Sequence, residues 1–268
     1  MDQVKEIIEK VEKLQKGNGY TDQQMADKIG CSRPLYQRTR TRKITAGGRF
    51  LKGAIALLSS KVEVSSSSVA NREVKVNRSF VVNRKTKETN IRLKLDIDSN
   101  GKYKIDTGIK MFDHLLEQVA QHGRFGITLS ATGDDQHHLV EDVAISMGQA
   151  LNKALRKKRG IMRMGDATVS MDDALATVVV DINGRGYPKL ELPFSKNDMA
   201  GFSTDLIRHF LESFAIEAKL NLHAKVVDGT NDHHKAEALF KALGRALDIA
   251  TRIDPKLSGE LPSTKGLL

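Results

Sequence analysis

The sequence has little that would support an extracellular or membrane location. Its 268 residues include one cysteine, Cys31, so no disulfide can form within the chain, which suits a reducing compartment. It has no run of about 18 apolar residues, the length that a membrane-spanning helix needs. The first residues, MDQVKEIIEKVEKL, carry frequent charges and lack the apolar core of a signal peptide. We therefore expect a cytoplasmic protein with no membrane segment.

The net charge of +10 is concentrated near the N-terminus. Residues 1–60 hold 12 Lys and Arg against 6 Asp and Glu, which leaves a net charge of only +4 for the other 208 residues. A basic block ahead of a nearly balanced chain favours a separate module with an anionic partner. A solvated basic surface without any partner explains the same charge equally well.

Residues 1–60 have the pattern of a small all-α domain. After a first helix with apolar residues at helical spacing, Thr21 begins a capping box, Gly30 ends the second helix and Ser32 can cap the third. A further helix is predicted after Gly47. This arrangement resembles the helix-turn-helix domain of phage-repressor-type regulators.

DNA binding would place the third of these helices in the major groove. Arginine and glutamine can address base edges, and the residues expected to do so are Arg33, Gln37 and Arg38. The residues expected to meet phosphates are Arg40, Arg42 and Lys43. A small helical bundle that only contacts other protein is the alternative.

A serine-rich stretch at 61–76 is predicted to be a linker, followed by a second domain over 77–268. The order of strands, helix, strand and helix occurs twice in that domain, over about 77–165 and about 166–268. Such a duplication predicts an α+β domain of two repeats in which sheets and helices pack together.

Four of the eight histidines form two adjacent pairs, in the sequences HHLVE and HHKAE. The two motifs open a long helix at matching points of the repeats. One His and the Glu share a helix face and can bind one ion, while the adjacent His points about 100° away and can reach a second ion. The residues of the two motifs are His137, His138, Glu141, His233, His234 and Glu237.

Two more histidines, His114 and His209, form a matched pair in the other helix of each repeat. A lone His among apolar residues is usually a satisfied core residue, but the symmetry favours two further ligands. Three imidazoles and one carboxylate per ion suit manganese, iron, cobalt or nickel, and a nitrogen- and oxygen-ligated zinc site also stays open. His122 and His223 are interpreted as structural or supporting residues.

Eight motifs of the second domain follow one another from about residue 78 to the C-terminus: TKETNI, DTGIKMFDHLLEQVAQHG, HHLVEDVAISMGQAL, RGIMRMG, MDDAL, DINGRG, GTNDHHKAEALFKALGRAL and LPSTKG. In type and order they resemble the imidazoleglycerol-phosphate dehydratase family. The resemblance implies a duplicated fold of the ribosomal protein S5 domain 2-like type and two manganese ions per active site. It also implies a homo-oligomer of 24 chains with active sites between subunits.

The resemblance implies roles for individual residues as well. One ion would be bound by His114, His137, Glu141 and His233. The other ion would be bound by His138, His209, His234 and Glu237. Substrate-binding residues would be Glu88, Gln118, His122, Arg163, Arg185, Lys241, Ser263, Thr264 and Lys265, the cations and hydroxyls among them serving the phosphate. The carboxylates with catalytic roles would be Glu88, Glu141 and Glu237.

The implied reaction dehydrates D-erythro-imidazole glycerol phosphate to imidazole acetol phosphate in histidine biosynthesis. The carbon that loses its proton has no carbonyl beside it, so the imidazole ring must accept the electrons, and metal ions on the ring nitrogens would help it. Glu88 would remove the proton. Two other functions stay open: a DNA-binding regulator that only senses the ligand, and a metal-dependent hydrolase. Arg163 or Arg185, taken singly, would be expected in a surface salt bridge.

Overall fold

The chain divides into two units, Met1–Val76 and Asn77–Leu268. The computed structural model describes residues 2–41, 50–55, 57–58 and 78–268. The predicted linker at 61–76 and the predicted phosphate contacts Arg42 and Lys43 lie outside the described residues. Among the helices that are described, none combines the length and apolarity that crossing a membrane requires.

The first unit contains α1 (Asp2–Asn18), α2 (Asp22–Ile29), α3 (Arg33–Arg40) and α4, whose described residues are 50–55 and 57–58. The predicted helix signals are confirmed. Thr21 forms the capping box, Gly30 ends α2 in the left-handed conformation with φ of 72°, and Ser32 caps α3. The core of this unit is formed by Ile8, Val11, Met25, Ala26, Ile29, Tyr36, Phe50 and Ala54.

Polar side chains join the first three helices. Asp22 accepts hydrogen bonds from Gln15 at 2.7 Å and from Gln37 at 2.8 Å, and these bonds hold the pKa of its carboxyl below the usual value. The buried Tyr36 hydroxyl donates to Gln15 at 2.8 Å. Arg40 lies 3.2 Å from both Gln15 and Asp22. Gln37 and Arg40 are therefore engaged within the unit.

The second unit repeats one order of elements. The first half contains β1 (Ser79–Lys85), β2 (Thr89–Asp96), β3 (Tyr103–Asp106), α5 (Lys110–Gly123), β4 (Gly126–Gly133) and α6 (Gln136–Ala154). The second half contains β5 (Met164–Met171), β6 (Ala174–Asp181), β7 (Tyr187–Glu191), the small hairpin β8 (Asp198–Met199) and β9 (Phe202–Ser203), α7 (Thr204–Ala218), β10 (Asn221–Asp228) and α8 (Asp232–Thr251). The predicted mixed α+β character is confirmed.

Each half forms a four-stranded sheet of the same topology, β1-β2-β4-β3 in one and β5-β6-β10-β7 in the other. Within each sheet the last pair is parallel and the other pairs are antiparallel. Buried and more exposed residues alternate along β2 and β6, because successive side chains of a strand point to opposite faces. The buried faces carry α5 and α6 on the first sheet and α7 and α8 on the second, which gives four layers.

The helices of the two inner layers pair across the repeats, α5 with α8 and α6 with α7. Two glycines at matching points permit this close approach. A Cβ on Gly148 of α6 would come within 2.8 Å of the carbonyl oxygen of Phe214, and a Cβ on Gly244 of α8 within 2.9 Å of that of Val119. Each helix that begins with a histidine pair therefore lies against a helix of the other repeat.

Candidate metal centres and active site

The first cluster of potential ligands lies between α5 and α8. His114 of α5 and His233 of α8 place Nε2 at 3.1 Å and 2.9 Å from Oε1 of Glu237. The other oxygen of Glu237, Oε2, lies 2.8 Å from Nζ of Lys241. Burial acts to raise the pKa of Glu237, but the hydrogen bonds from Lys241 and His114 lower it to about 2. We call His114, His233 and Glu237 the α5/α8 cluster.

The second cluster lies between α6 and α7 and consists of His137, Glu141 and His209, here called the α6/α7 cluster. The rings of His137 and His209 stack with their centroids 4.5 Å apart. Nε2 of His209 lies 3.7 Å from Glu141 Oε2, is buried, and has no hydrogen-bond partner among the described residues. Because buried polar atoms normally have a partner, this nitrogen is suited to hold a cation.

Both clusters fit a divalent ion. Each offers two imidazole nitrogens and one carboxylate oxygen that lie within 4.8 Å of one another. Nitrogen and oxygen donors without a thiolate suit the manganese expected from the sequence, as they suit other divalent first-row metals. Each cluster also takes ligands from both repeats, which follows from the pairing of helices across the repeats.

The second histidine of each adjacent pair is turned away from its cluster. The two rings of each pair are nearly perpendicular, with interplanar angles of 85° and 87°. Nδ1 of His138 lies 2.9 Å from Asp134, and Nδ1 of His234 lies 2.7 Å from Asp173. A carboxylate on one ring nitrogen leaves the other nitrogen for a metal. No role was predicted for these aspartates, although they stand in GDDQHH, directly before one histidine pair, and in MDDAL, at the turn before β6.

Within the single chain, the predicted ligands do not come together as the two sets of four that were expected to bind one ion each. The set of His114, His137, Glu141 and His233 is divided between the two clusters. The set of His138, His209, His234 and Glu237 is divided as well, with His138 and His234 in neither cluster. Four ligands per ion therefore require either a different grouping or ligands from a second chain.

Predicted substrate contacts extend from the α5/α8 cluster along its two helices. Gln118 and His122 follow His114 at successive turns of α5, and Lys241 follows Glu237 one turn along α8. Residues four apart lie on one helix face, so these side chains continue the faces that carry the ligands. Burial lowers the pKa of His122, and the charge of Lys241 lowers it further, which favours the neutral ring.

The matching positions beside the α6/α7 cluster carry no cation. Ile145 on α6 takes the place of Lys241, and Glu217 on α7 takes the place of His122. Glu217 accepts a hydrogen bond from Gln149 at 2.9 Å. The surroundings of the two clusters, which are related by the duplication, therefore differ in charge. The surroundings of the α5/α8 cluster include the ammonium of Lys241 and are suited to an anionic ligand.

Other predicted phosphate-binding residues lie near one end of the second sheet. Arg163 donates to both carboxylate oxygens of Asp181, at 2.7 Å and 3.0 Å, and to the carbonyl oxygen of Pro262 at 2.9 Å. Pro262 directly precedes the predicted triplet 263–265, in which Thr264 and Lys265 are exposed. Arg163 thus forms the salt bridge expected of it when taken alone, and it also fixes the C-terminal segment.

Arg185 and His223 are both exposed on the second half of the domain. Gly184, next to Arg185, has a φ of 87°. It also lies close to Leu268: a Cβ on Gly184 would come within 2.4 Å of the carbonyl carbon of Leu268. The loop of Arg185 and the C-terminal segment therefore meet. His223 lies on β10 with its ring 6.3 Å from that of Tyr187.

Glu88 lies in the turn between β1 and β2, with a half-exposed side chain. Its Oε2 is 4.0 Å from Nδ1 of His138, and its backbone carbonyl accepts a hydrogen bond from Asp134 at 3.0 Å. Asp173 occupies the matching turn of the second repeat, between β5 and β6. The predicted acid-base carboxylate therefore lies beside a predicted metal ligand, within reach of a ligand bound there.

In the first unit, only part of the predicted base-reading set is available. Arg33 and Arg38 are exposed on α3, whereas Gln37 is half-buried and donates to Asp22. A role for Gln37 at a base edge would require this hydrogen bond to break.

Comparisons with known proteins agree with this architecture. A family model described as imidazoleglycerol-phosphate dehydratase matches residues 107–247. The enzyme of that name from Dehalococcoides mccartyi is 60% identical over 191 residues, 71% of this chain and 97% of the relative. The one from Roseiflexus sp. is 50% identical over 194 residues, 71% of this chain and 98% of the relative.

Solved structures show the same likeness. The imidazoleglycerol-phosphate dehydratase of Staphylococcus aureus aligns with a TM-score of 0.61 and 34% identity, covering 66% of this chain and 99% of that one. The Pyrococcus furiosus enzyme in complex with (S)-C348 aligns with a TM-score of 0.62 and 35% identity, covering 70% and 100%.

The fold and these matches define a carbon–oxygen lyase of amino-acid biosynthesis. The chain belongs to the imidazoleglycerol-phosphate dehydratase family. The predictions of family, of lyase activity and of a role in histidine biosynthesis are confirmed. The matched residues 107–247 lie wholly within the second unit.

Proposed function

We propose that the chain performs its dehydration in the cytoplasm with two manganese ions per active site. The observation that carries this proposal is the pair of nitrogen- and oxygen-ligand clusters at matching points of the two repeats. Bound divalent ions would polarise the imidazole ring of the substrate, which has to assist loss of the hydroxyl from the adjacent carbon and to accept electrons when the next carbon loses its proton. Glu141 and Glu237 would act as ligands beside the histidines.

Glu88 is proposed as the acid-base residue. The hydroxyl on the carbon next to the ring would leave as water, and the Glu88 carboxylate would take the proton from the neighbouring carbon, which keeps its own hydroxyl. The resulting enol would tautomerise to the ketone, imidazole acetol phosphate. The position of Glu88 supports this role, because its half-exposed carboxylate lies 4.0 Å from His138.

The substrate phosphate is proposed to bind Lys241 together with Arg163, Arg185, Ser263, Thr264 and Lys265. The phosphate-binding role of Lys241 is supported by the difference in charge beside the two clusters, since Ile145 stands at the matching position beside the α6/α7 cluster. Gln118 and His122 would contact the rest of the substrate from α5. Ammonium, guanidinium and hydroxyl donors are the groups that a phosphate prefers.

A homo-oligomer of 24 chains with active sites between subunits is also proposed. The outward-turned His138 and His234 support it, because ligands that face away from their own cluster are placed to serve a neighbouring chain. Exposed apolar side chains such as Val179 and Tyr187 on the second sheet are consistent with subunit contacts.

Chelation is expected to abolish formation of imidazole acetol phosphate, and added manganese is expected to restore it. The full chain would be freed of metal with EDTA, its metal content measured, and the product followed from imidazole glycerol phosphate. Activity that survives complete metal removal would contradict the metal requirement. Metal-dependent release of phosphate would favour a hydrolase, and substrate binding without turnover would favour a sensor.

We infer that the first unit binds DNA through α3. This helix carries three arginines and no acidic residue, and its start is fixed by Ser32. Arg33 and Arg38 are its exposed basic side chains, while Arg40 is engaged with Asp22. A basic helix that follows a short turn is suited to the phosphates and base edges of a duplex.

The double substitution Arg33→Ala and Arg38→Ala is expected to weaken binding to duplex DNA by about tenfold or more. The salt slope, which is the slope of the logarithm of the binding constant against the logarithm of the salt concentration, is expected to fall in magnitude by about 2. Fluorescence anisotropy at several potassium chloride concentrations measures both. The control is Lys13→Ala with Lys16→Ala, which removes the same charge from exposed positions of α1. A shallow salt slope, or equal effects of the two variants, would indicate a protein-contact module instead.

A further inference from the structure

Glu141 and Glu237 occupy matching positions of the duplicated helices but have different neighbours. One turn after Glu237 comes Lys241, whose Nζ lies 2.8 Å from Oε2. One turn after Glu141 comes Ile145. The side chains of Glu237 and Lys241 are only 9% and 14% exposed, whereas that of Glu141 is 40% exposed. The two carboxylates therefore differ in charge environment and in screening by water.

The ammonium of Lys241 is held in place beside the α5/α8 cluster. Besides Glu237, it contacts Sδ of Met171 at 3.1 Å. Lys241 takes one oxygen of the carboxylate, while His114 and His233 face the other oxygen. A cation bound at that second oxygen would be repelled by the nearby ammonium, and the low exposure keeps this repulsion from being screened.

We propose that Lys241 makes the two ion sites unequal, so that the ion bound by Glu237 is held more weakly than the ion bound by Glu141. This inference rests on the proposed metal function and adds an order of filling, with the Glu141 site first. It does not depend on which chain completes each site, because Lys241 and Glu237 are neighbours on one helix. Lys241 acts here as a positioning and charge-setting residue through Glu237.

The test is a titration of metal-free, full-length protein with manganese. The electron paramagnetic resonance signal of free Mn²⁺ measures how much of the added ion stays unbound. The wild type is expected to bind two ions per chain in two steps whose Kd values differ by about tenfold or more. Lys241→Met removes the charge and keeps an unbranched side chain. It is expected to strengthen the weaker step about tenfold and leave the stronger step unchanged. Lys241→Arg keeps the charge and should retain two separate steps.

The duplication offers a matched variant in the other half. Ile145→Lys places an ammonium one turn after Glu141 and is expected to weaken the stronger step about tenfold. Combined with Lys241→Met, it should reverse the order of filling. Two equal steps in the wild type, or unchanged Kd values in Lys241→Met, would overturn the inference. A wild type that binds no manganese at all would overturn the proposed metal function itself.

Discussion

Glutamine in place of Glu88 is expected to lower kcat by about 10³-fold while manganese content stays at the wild-type level. The amide has nearly the size of the carboxylate but cannot take a proton from carbon. Folding should not change, because the structural contacts of Glu88 involve its backbone: its amide donates to Thr86 and its carbonyl accepts from Asp134. Steady-state kinetics with metal analysis of the same samples measures the effect.

The control for this variant is Glu6→Gln, the same chemical change at an exposed position of α1. It should keep the wild-type kcat. An unchanged kcat in Glu88→Gln would eliminate Glu88 as the base. A loss of manganese together with kcat would instead show that Glu88 is a ligand or supports one.

Alanine in place of His209 is expected to remove one manganese ion per chain and to lower kcat/KM by about 10³-fold or more, since both ions have a part in the proposed reaction. The buried Nε2 of His209 has no hydrogen-bond partner among the described residues, so its removal takes away a ligand and leaves Glu141 with His137 alone in its cluster. His114→Ala should have the same consequence in the α5/α8 cluster. Metal content by mass spectrometry and kinetics measure both variants.

His223→Ala is the matched control, because it removes an exposed imidazole that belongs to neither cluster. It should retain two ions and the wild-type rate. If His209→Ala retained two ions at wild-type affinity, the α6/α7 cluster would not be a metal site. If it lost one ion but kept its rate, that ion would have no part in the reaction.

Local features were predictable because short stretches of sequence determine them. The caps at Thr21 and Ser32 depend on side chains that accept from the backbone three residues away, and the structure confirms them. Helical spacing and the repeat were enough to predict that a histidine and the glutamate of each motif lie on one face of a helix. The family followed from the motifs.

Tertiary contacts were not predictable in the same way. Gln37 was expected at a base edge but is bound to Asp22, because α1 and α2 bring that carboxylate to it. A salt bridge of Arg163 was an expected alternative, but its partner, Asp181 at the end of β6, could not be identified from local sequence. The pairing of α5 with α8 depends on how the two sheets stack, which helical spacing alone does not determine.

The pairing of helices across the repeats has a consequence for the origin of the site. Neither repeat builds a cluster alone, but two copies of one half-length chain around a twofold axis would build both clusters, and symmetry would make them identical. Fusing the two halves into one polypeptide removes that constraint, because each half can then change independently. Lys241 and Ile145 are such a difference, because matching positions beside the two clusters carry an ammonium in one half and an apolar side chain in the other.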